Sequence, residues 1–109
     1  MLSAILDAEL KLSEAIRRSE HLELEALVDP LTALLNRRAW DRLLAQEEER
    51  CRRYGHPATV FVVDLDHLKE INDTAGHAAG DALLVRAASA LQEVVRDIDI
   101  VARLGGDEF

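Results

Sequence analysis

The stretch Ala58-Thr59-Val60-Phe61-Val62-Val63-Asp64-Leu65-Asp66 constrains this chain more than any other. An unbroken apolar, β-branched run of this length predicts a buried strand. It stops on two aspartates separated by one leucine. Side chains alternate along a strand, so Asp64 and Asp66 are expected on one face and Leu65 on the other. Open α/β sheets keep their ligands at the carboxyl ends of their strands, where these two carboxylates fall. Neighbouring carboxylates repel unless a cation or a donor stands between them. A strand that simply runs into a polar loop accounts for this segment, taken alone, equally well.

The flanking sequence is mostly helical. Residues 1–28 contain neither Pro nor Gly and are rich in Leu, Ala and Glu, which predicts a helix. A seven-residue frame runs through Met1, Ile5, Ala8, Leu12, Ala15, Ser19, Leu22 and Ala26. It is apolar except at Ser19, as in a seam between two parallel helices. The alternative is a lone amphipathic helix packed on its own domain. Asp29-Pro30-Leu31-Thr32 is expected to end this helix and start another, with Asp29 as N-cap and Pro30 in the first turn. That second helix is expected to run to about Tyr54, with Leu31, Leu34, Leu35, Leu43, Leu44 and Cys51 as candidate core positions. Gly55-His56-Pro57 breaks the chain before the central strand.

After Asp66, residues 67–76 predict a short helix closed by Asn72, Asp73 and Gly76. His77-Ala78-Ala79-Gly80-Asp81 reads as a polar link. A long helix follows, carrying Leu84, Ala87, Ala88, Leu91, Val94 and Val95 at helical spacing and stopping near Arg96. Residues 98–104 alternate as a second strand, and Gly105-Gly106 reads as a tight hairpin turn. Two strands rarely make a stable sheet. The sequence is therefore expected to be the front part of a larger domain.

Charge and composition exclude some functions. The net charge of −8 argues against a broad nucleic-acid surface. An anionic substrate would need a metal or a few placed cations. Cys51 is the one cysteine, so neither an intrachain disulfide framework nor a zinc cluster is expected. No apolar run reaches membrane-spanning length. Asp7 and Glu9 stand where a secretion signal would need an apolar core. A cytoplasmic protein without direct membrane contact through this chain is expected.

At Arg103-Leu104-Gly105-Gly106-Asp107-Glu108-Phe109 the chain resembles the GGDEF family of diguanylate cyclases. The resemblance is an ordered set that covers residues from about 24 to 109. It includes Asp29-Pro30-Leu31-Thr32 with Asn36-Arg37-Arg38, Asp64-Leu65-Asp66, Lys69, Ile71-Asn72-Asp73, Gly76-His77 and Gly80-Asp81. Ala33 and Leu68 depart from the usual Gly and Phe without touching the chemistry. The family's later strands and its phosphate-binding cations would lie beyond Phe109.

The resemblance implies an α/β (α+β) fold. A signalling or coiled-coil helix over residues 1–28 would lead into residues 29–109, the amino-terminal part of a GGDEF domain with a central β-sheet flanked by helices. It implies condensation of two GTP molecules into cyclic di-GMP plus pyrophosphate, across a homodimer joined through the amino-terminal helix. It assigns Asp64, Asp107 and the Leu65 carbonyl to Mg²⁺ (or Mn²⁺), which takes few carboxylates beside water and phosphate oxygens. Asp107, with Asp64 and Glu108 beside it, would help deprotonate the attacking hydroxyl. Gly105 and Gly106 would let phosphate approach the backbone, and Lys69 would touch a phosphate.

By the same resemblance Asn72 and Asp81 would read the guanine base. Their bland alternatives are a helix C-cap and a helix N-cap. Arg96 and Asp99 match an Arg-x-x-Asp site at which cyclic di-GMP inhibits its own synthesis. An ordinary i, i+3 ion pair is the alternative there. Two rival readings of the chain are a catalytically inactive module that binds GTP or cyclic di-GMP, and a dimerisation module.

Overall fold

Asp29 does not start a helix. The computed structural model describes residues 2–109, with the backbone alone at Glu25, so Met1 of the expected seam lies outside the described residues. Four helices follow one another: α1 (Leu2–Glu25), α2 (Arg37–Tyr54), α3 (Leu68–Ala75) and α4 (His77–Val94). The second helix thus begins well after Asp29. The Asp29 carboxylate instead accepts hydrogen bonds from the Thr32 N–H at 2.9 Å and the Thr32 hydroxyl at 2.7 Å. Ala33 then turns left-handed at φ 60°, which a helix does not tolerate. Asn36 takes the cap. Its Oδ1 accepts from the Ala39 N–H at 3.0 Å while its Nδ2 donates to the Ala26 carbonyl at 2.8 Å.

Gly55 closes α2 at φ 72°, its N–H bonded to the Cys51 carbonyl. The expected polar link at residues 77–81 is helical from its first residue, because the chain bends at Gly76 (φ 90°) alone. Among the described residues α3 packs against α4, and α1 packs on no other helix. Every described side chain of α1 is exposed, so this helix is not folded onto its own domain. At about 1.5 Å per residue it reaches some 36 Å from end to end.

Among the described residues the structure does not bear out the expected buried central strand and its sheet. Among the described residues, β-pairing consists of isolated bridges, including Leu35 with Ala102 in parallel and Asp64 with Glu108 in antiparallel. Val63 and Phe109 exchange both backbone hydrogen bonds at 2.7 Å, and the Leu65 N–H donates to the Asp107 carbonyl at 3.0 Å. Upstream of Val63 the segment is extended without such partners, and Phe61 is 78% exposed. An apolar run buries both faces only where strands and helices flank it. Here it borders an apolar groove of about 550 Å³ that also touches Trp40, Leu91 and Ile100.

The core gathers where the pairing does exist. Leu34, Leu84, Ala88 and Phe109 are buried together, with Val63, Leu65, Leu68 and Leu91 packed against them. Phe109 of the terminal pentapeptide is therefore a core residue. It anchors the turn at 105–107 to the segment that carries Asp64.

Arg103 ties the turn to the distant α1–α2 connection. Its Nη1 donates to both Asp29 carboxylate oxygens at 3.2 and 3.4 Å, while Nε and Nη2 donate to the Gly106 carbonyl at 3.1 and 2.8 Å. Its own N–H bonds the Leu35 carbonyl at 2.8 Å. The pair is largely buried, at 16% and 15% side-chain exposure. Burial is the largest influence on Asp29 and raises its pKa. The Thr32 hydrogen bonds and the Arg103 guanidinium together outweigh it and hold the carboxyl below its ordinary range.

A carboxyl whose folded pKa is depressed stabilises the fold above its unfolded pKa and loses that contribution as pH falls through the folded value. Asp29→Asn is therefore expected to cost roughly 2 kcal/mol near neutral pH. The gap to the unsubstituted protein should narrow below about pH 4. Chemical denaturation across pH 2.5–7 (about these limits) checks this, and a gap independent of pH would contradict it.

Candidate functional site

The antiparallel pairing of 63–65 with 107–109 decides which side chains meet. Leu65 turns inward to the core while Asp64 and Asp66 stay exposed, as alternation along the segment expects. Asp107 lies in the turn, where it is the largest influence on the Asp64 carboxyl. Two adjacent acids raise the pKa of one of them. Asp64 is held above the usual carboxylate range, first by Asp107, with burial, Glu108 and Asp66 adding to it. The structure thus joins Asp64 with Asp107 and Glu108 from separate stretches of the sequence.

A hard divalent cation suits this pair. Mg²⁺ binds through one or two carboxylates and keeps water or phosphate oxygens for its other positions. The described residues contain no cluster of three or more His, Cys, Asp or Glu in metal-holding geometry, so the protein offers two carboxylates rather than a closed cage. The repulsion within the pair is what a cation would relieve. Leu65 sits between Asp64 and Asp66, its N–H already given to Asp107.

Gly105 and Gly106 make the turn that carries Asp107. Both take positive φ, 146° and 48°, with open space where a Cβ would stand. Both residues are exposed. The turn also borders a notch of about 370 Å³ lined by Asp29, Arg37, Arg38 and Arg103. Arg103 carried no assigned role in the sequence. Its partner Asp29 lies 74 positions away, a separation at which no local signal survives.

Neither bland reading of Asn72 and Asp81 holds. Asn72 lies inside α3, whose C-cap is Gly76, and Asp81 lies inside α4, whose N-cap is also Gly76. Neither side chain makes a hydrogen bond or ion pair among the described residues. Both belong to the packed α3–α4 pair. Lys69 is exposed on α3 and makes no ion pair among the described residues.

Arg96 and Asp99 sit apart from the acids, just after α4. They form a two-pronged pair, Nε to Oδ2 at 3.2 Å and Nη2 to Oδ1 at 3.1 Å, with the Arg96 N–H also donating to Oδ2 at 2.9 Å. The hydrogen bonds that Asp99 accepts from Arg96 hold its carboxyl below the usual carboxylate range and push Arg96 up. In this structure they have the geometry of an i, i+3 ion pair, with the Arg96 side chain 77% exposed. No helix among the described residues is long and apolar enough to cross a membrane.

Residues 26–109 match the family model described as diguanylate cyclase, GGDEF domain. The chain is 42% identical over 99 residues to the probable diguanylate cyclase DgcC of Escherichia coli, spanning 91% of this chain and 26% of that protein. It is 46% identical over 84 residues to the cyclic di-GMP phosphodiesterase NbdA of Pseudomonas aeruginosa, spanning 77% of this chain and 11% of that protein. The coiled coil and GGDEF domain of DgcB from Caulobacter crescentus, solved in complex with c-di-GMP, shares the fold at a TM-score of 0.76 and 34% identity. That match covers 94% of this chain and 56% of the DgcB chain. The chain spans about a quarter or less of the length of these two curated relatives.

The acid pair has a measurable consequence. A carboxyl with a raised folded pKa costs the fold stability as pH rises through that value. Asp64→Asn removes the repulsion and is expected to raise the thermal midpoint at neutral pH in chelator. Saturating Mg²⁺ should then stabilise the unsubstituted protein only. Equal Mg²⁺ stabilisation of both proteins would contradict the assignment of Asp64.

Proposed function

The chain belongs to the GGDEF-domain family of diguanylate cyclases, and on that premise we propose that it serves the condensation of two GTP molecules into cyclic di-GMP with release of two pyrophosphates. The observation that carries this reading is the antiparallel pairing of Asp64 with Glu108, which brings Asp107 beside Asp64. Mg²⁺ held there would supply the positive charge that phosphoryl transfer needs. Asp64, Asp107 and the Leu65 carbonyl are its proposed ligands. Asp107, with Glu108 beside it, assists loss of the proton from the attacking 3′-hydroxyl. Gly105, Gly106 and Lys69 meet the phosphates. Asn72 and Asp81, with their polar groups unused by the protein, pair with the guanine edge. A carboxylate accepts from N1–H and the 2-amino group, which adenine does not offer in that arrangement.

Residues 1–28 are proposed as the signalling segment, of which α1 is the helix, and 29–109 as the GGDEF part. Two copies pair through α1 along Ile5, Ala8, Leu12, Ala15, Ser19 and Leu22, with Ala26 just beyond its end. The exposure of Leu12 (62%) and Ile5 (50%) supports this pairing, because apolar stripes on an unpacked helix seek a partner. Pairing lets two GTP-loaded sites face each other in the cytoplasm. Arg96 and Asp99 bind the product once their mutual fork opens, and so limit synthesis.

A second reading has one observation in its favour, the similarity to a protein named as a phosphodiesterase. Under it the site binds GTP or cyclic di-GMP and signals without turnover. Incubation of the protein carrying its whole domain with GTP and Mg²⁺ separates the two readings. Formation of cyclic di-GMP, lost at least about a hundredfold in Asp107→Asn, is expected. Binding without product would favour the second reading. Leu12→Asp is expected to shift the protein to monomer in analytical ultracentrifugation and to lower turnover at low protein concentration. An unchanged dimer would remove α1 from the interface.

A further inference from the structure

We infer that Gly80 is a positioning residue for base selection, keeping open the space in which the Asn72 amide stands. The inference rests on the reading of Asn72 as a guanine contact. The chain has five glycines. Four of them, Gly55, Gly76, Gly105 and Gly106, take positive φ and have nothing within 4 Å of the place a Cβ would occupy. Gly80 is different. It lies inside α4 in helical backbone and is buried. A Cβ there would come within 1.8 Å of Asn72 Oδ1, 2.8 Å of its Cγ and 3.4 Å of its Nδ2. The conflict reaches Cγ, so the whole amide would have to move, not only its tip.

Glycine inside a helix costs about 1 kcal/mol relative to alanine. Backbone conformation gives no reason for that cost here, and space does. The Asn72 carbonyl is used by the Gly76 N–H at 3.0 Å, while its side-chain amide bonds nothing among the described residues. Shape alone therefore seats the amide, and its donors and acceptor stay free for a ligand. Asp81, the other proposed base contact, is the next residue along α4. One backbone position thus sets the spacing of both.

Gly80→Ala, Asn72→Ala and the double variant test this against the unsubstituted protein. GTP and ATP binding is measured by calorimetry with Ca²⁺ in place of Mg²⁺, and thermal unfolding is measured without nucleotide. Gly80→Ala is expected to weaken GTP at least about tenfold while changing ATP little. In the Asn72→Ala background the same methyl should leave the GTP/ATP ratio unchanged and raise the unfolding midpoint, since its obstacle is gone.

A Gly80→Ala protein that keeps the ratio while Asn72→Ala loses it would overturn the inference and leave the base reading standing. If Asn72→Ala itself keeps the ratio, or the unsubstituted protein shows no preference for GTP, the base reading fails and the inference with it. If Gly80→Ala does not fold, rescue by Asn72→Ala supports the steric seat, and failure of rescue overturns it.

Discussion

Two carboxyls held close together organise this structure. The antiparallel bridge of Asp64 with Glu108 sets Asp107 close enough for its charge to raise the Asp64 pKa. Left to itself such an approach would open, because like charges at this range repel. Backbone bonds between residues 63–65 and 107–109 hold it closed. Burial of Phe109 and Leu65 in the core beneath the pair adds to that. The apolar cluster on one side and the acids on the other are two faces of the same pairing.

The turn that carries Asp107 is held from behind as well. Arg103 grips the Gly106 carbonyl and the Asp29 carboxylate together, and its backbone reaches Leu35. Asn36 spans from the end of α1 to the start of α2. Hydrogen bonds thus run from the end of α1 through Asn36 to α2, and from Asp29 through Arg103 to the turn.

Local chemistry was legible in the sequence, and long-range partnership was not. Alternation along 63–66 put Asp64 and Leu65 on opposite faces, since a period of two depends on nothing distant. The α2 start was misread because Asp29-Pro30 is a strong helix-start signal. It is overridden when the Asp29 carboxylate is taken by Thr32 and Arg103. The α4 start was misread because Gly80 and Asp81 look like loop residues, yet Gly80 serves space rather than a turn. The central run was expected to be buried on the strength of its composition. Burial depends on neighbours, and only Val63 and Leu65 have paired ones here.

Paramagnetic broadening by Mn²⁺ tests the central claim most directly. In amide-resolved spectra of the protein, substoichiometric Mn²⁺ is expected to bleach residues 64–66 and 105–108 first, and Asp107→Asn should abolish that focus. Broadening centred instead on the acidic stretch Glu47-Glu48-Glu49 of α2, or spread evenly over the acidic surface, would contradict a cation site between Asp64 and Asp107.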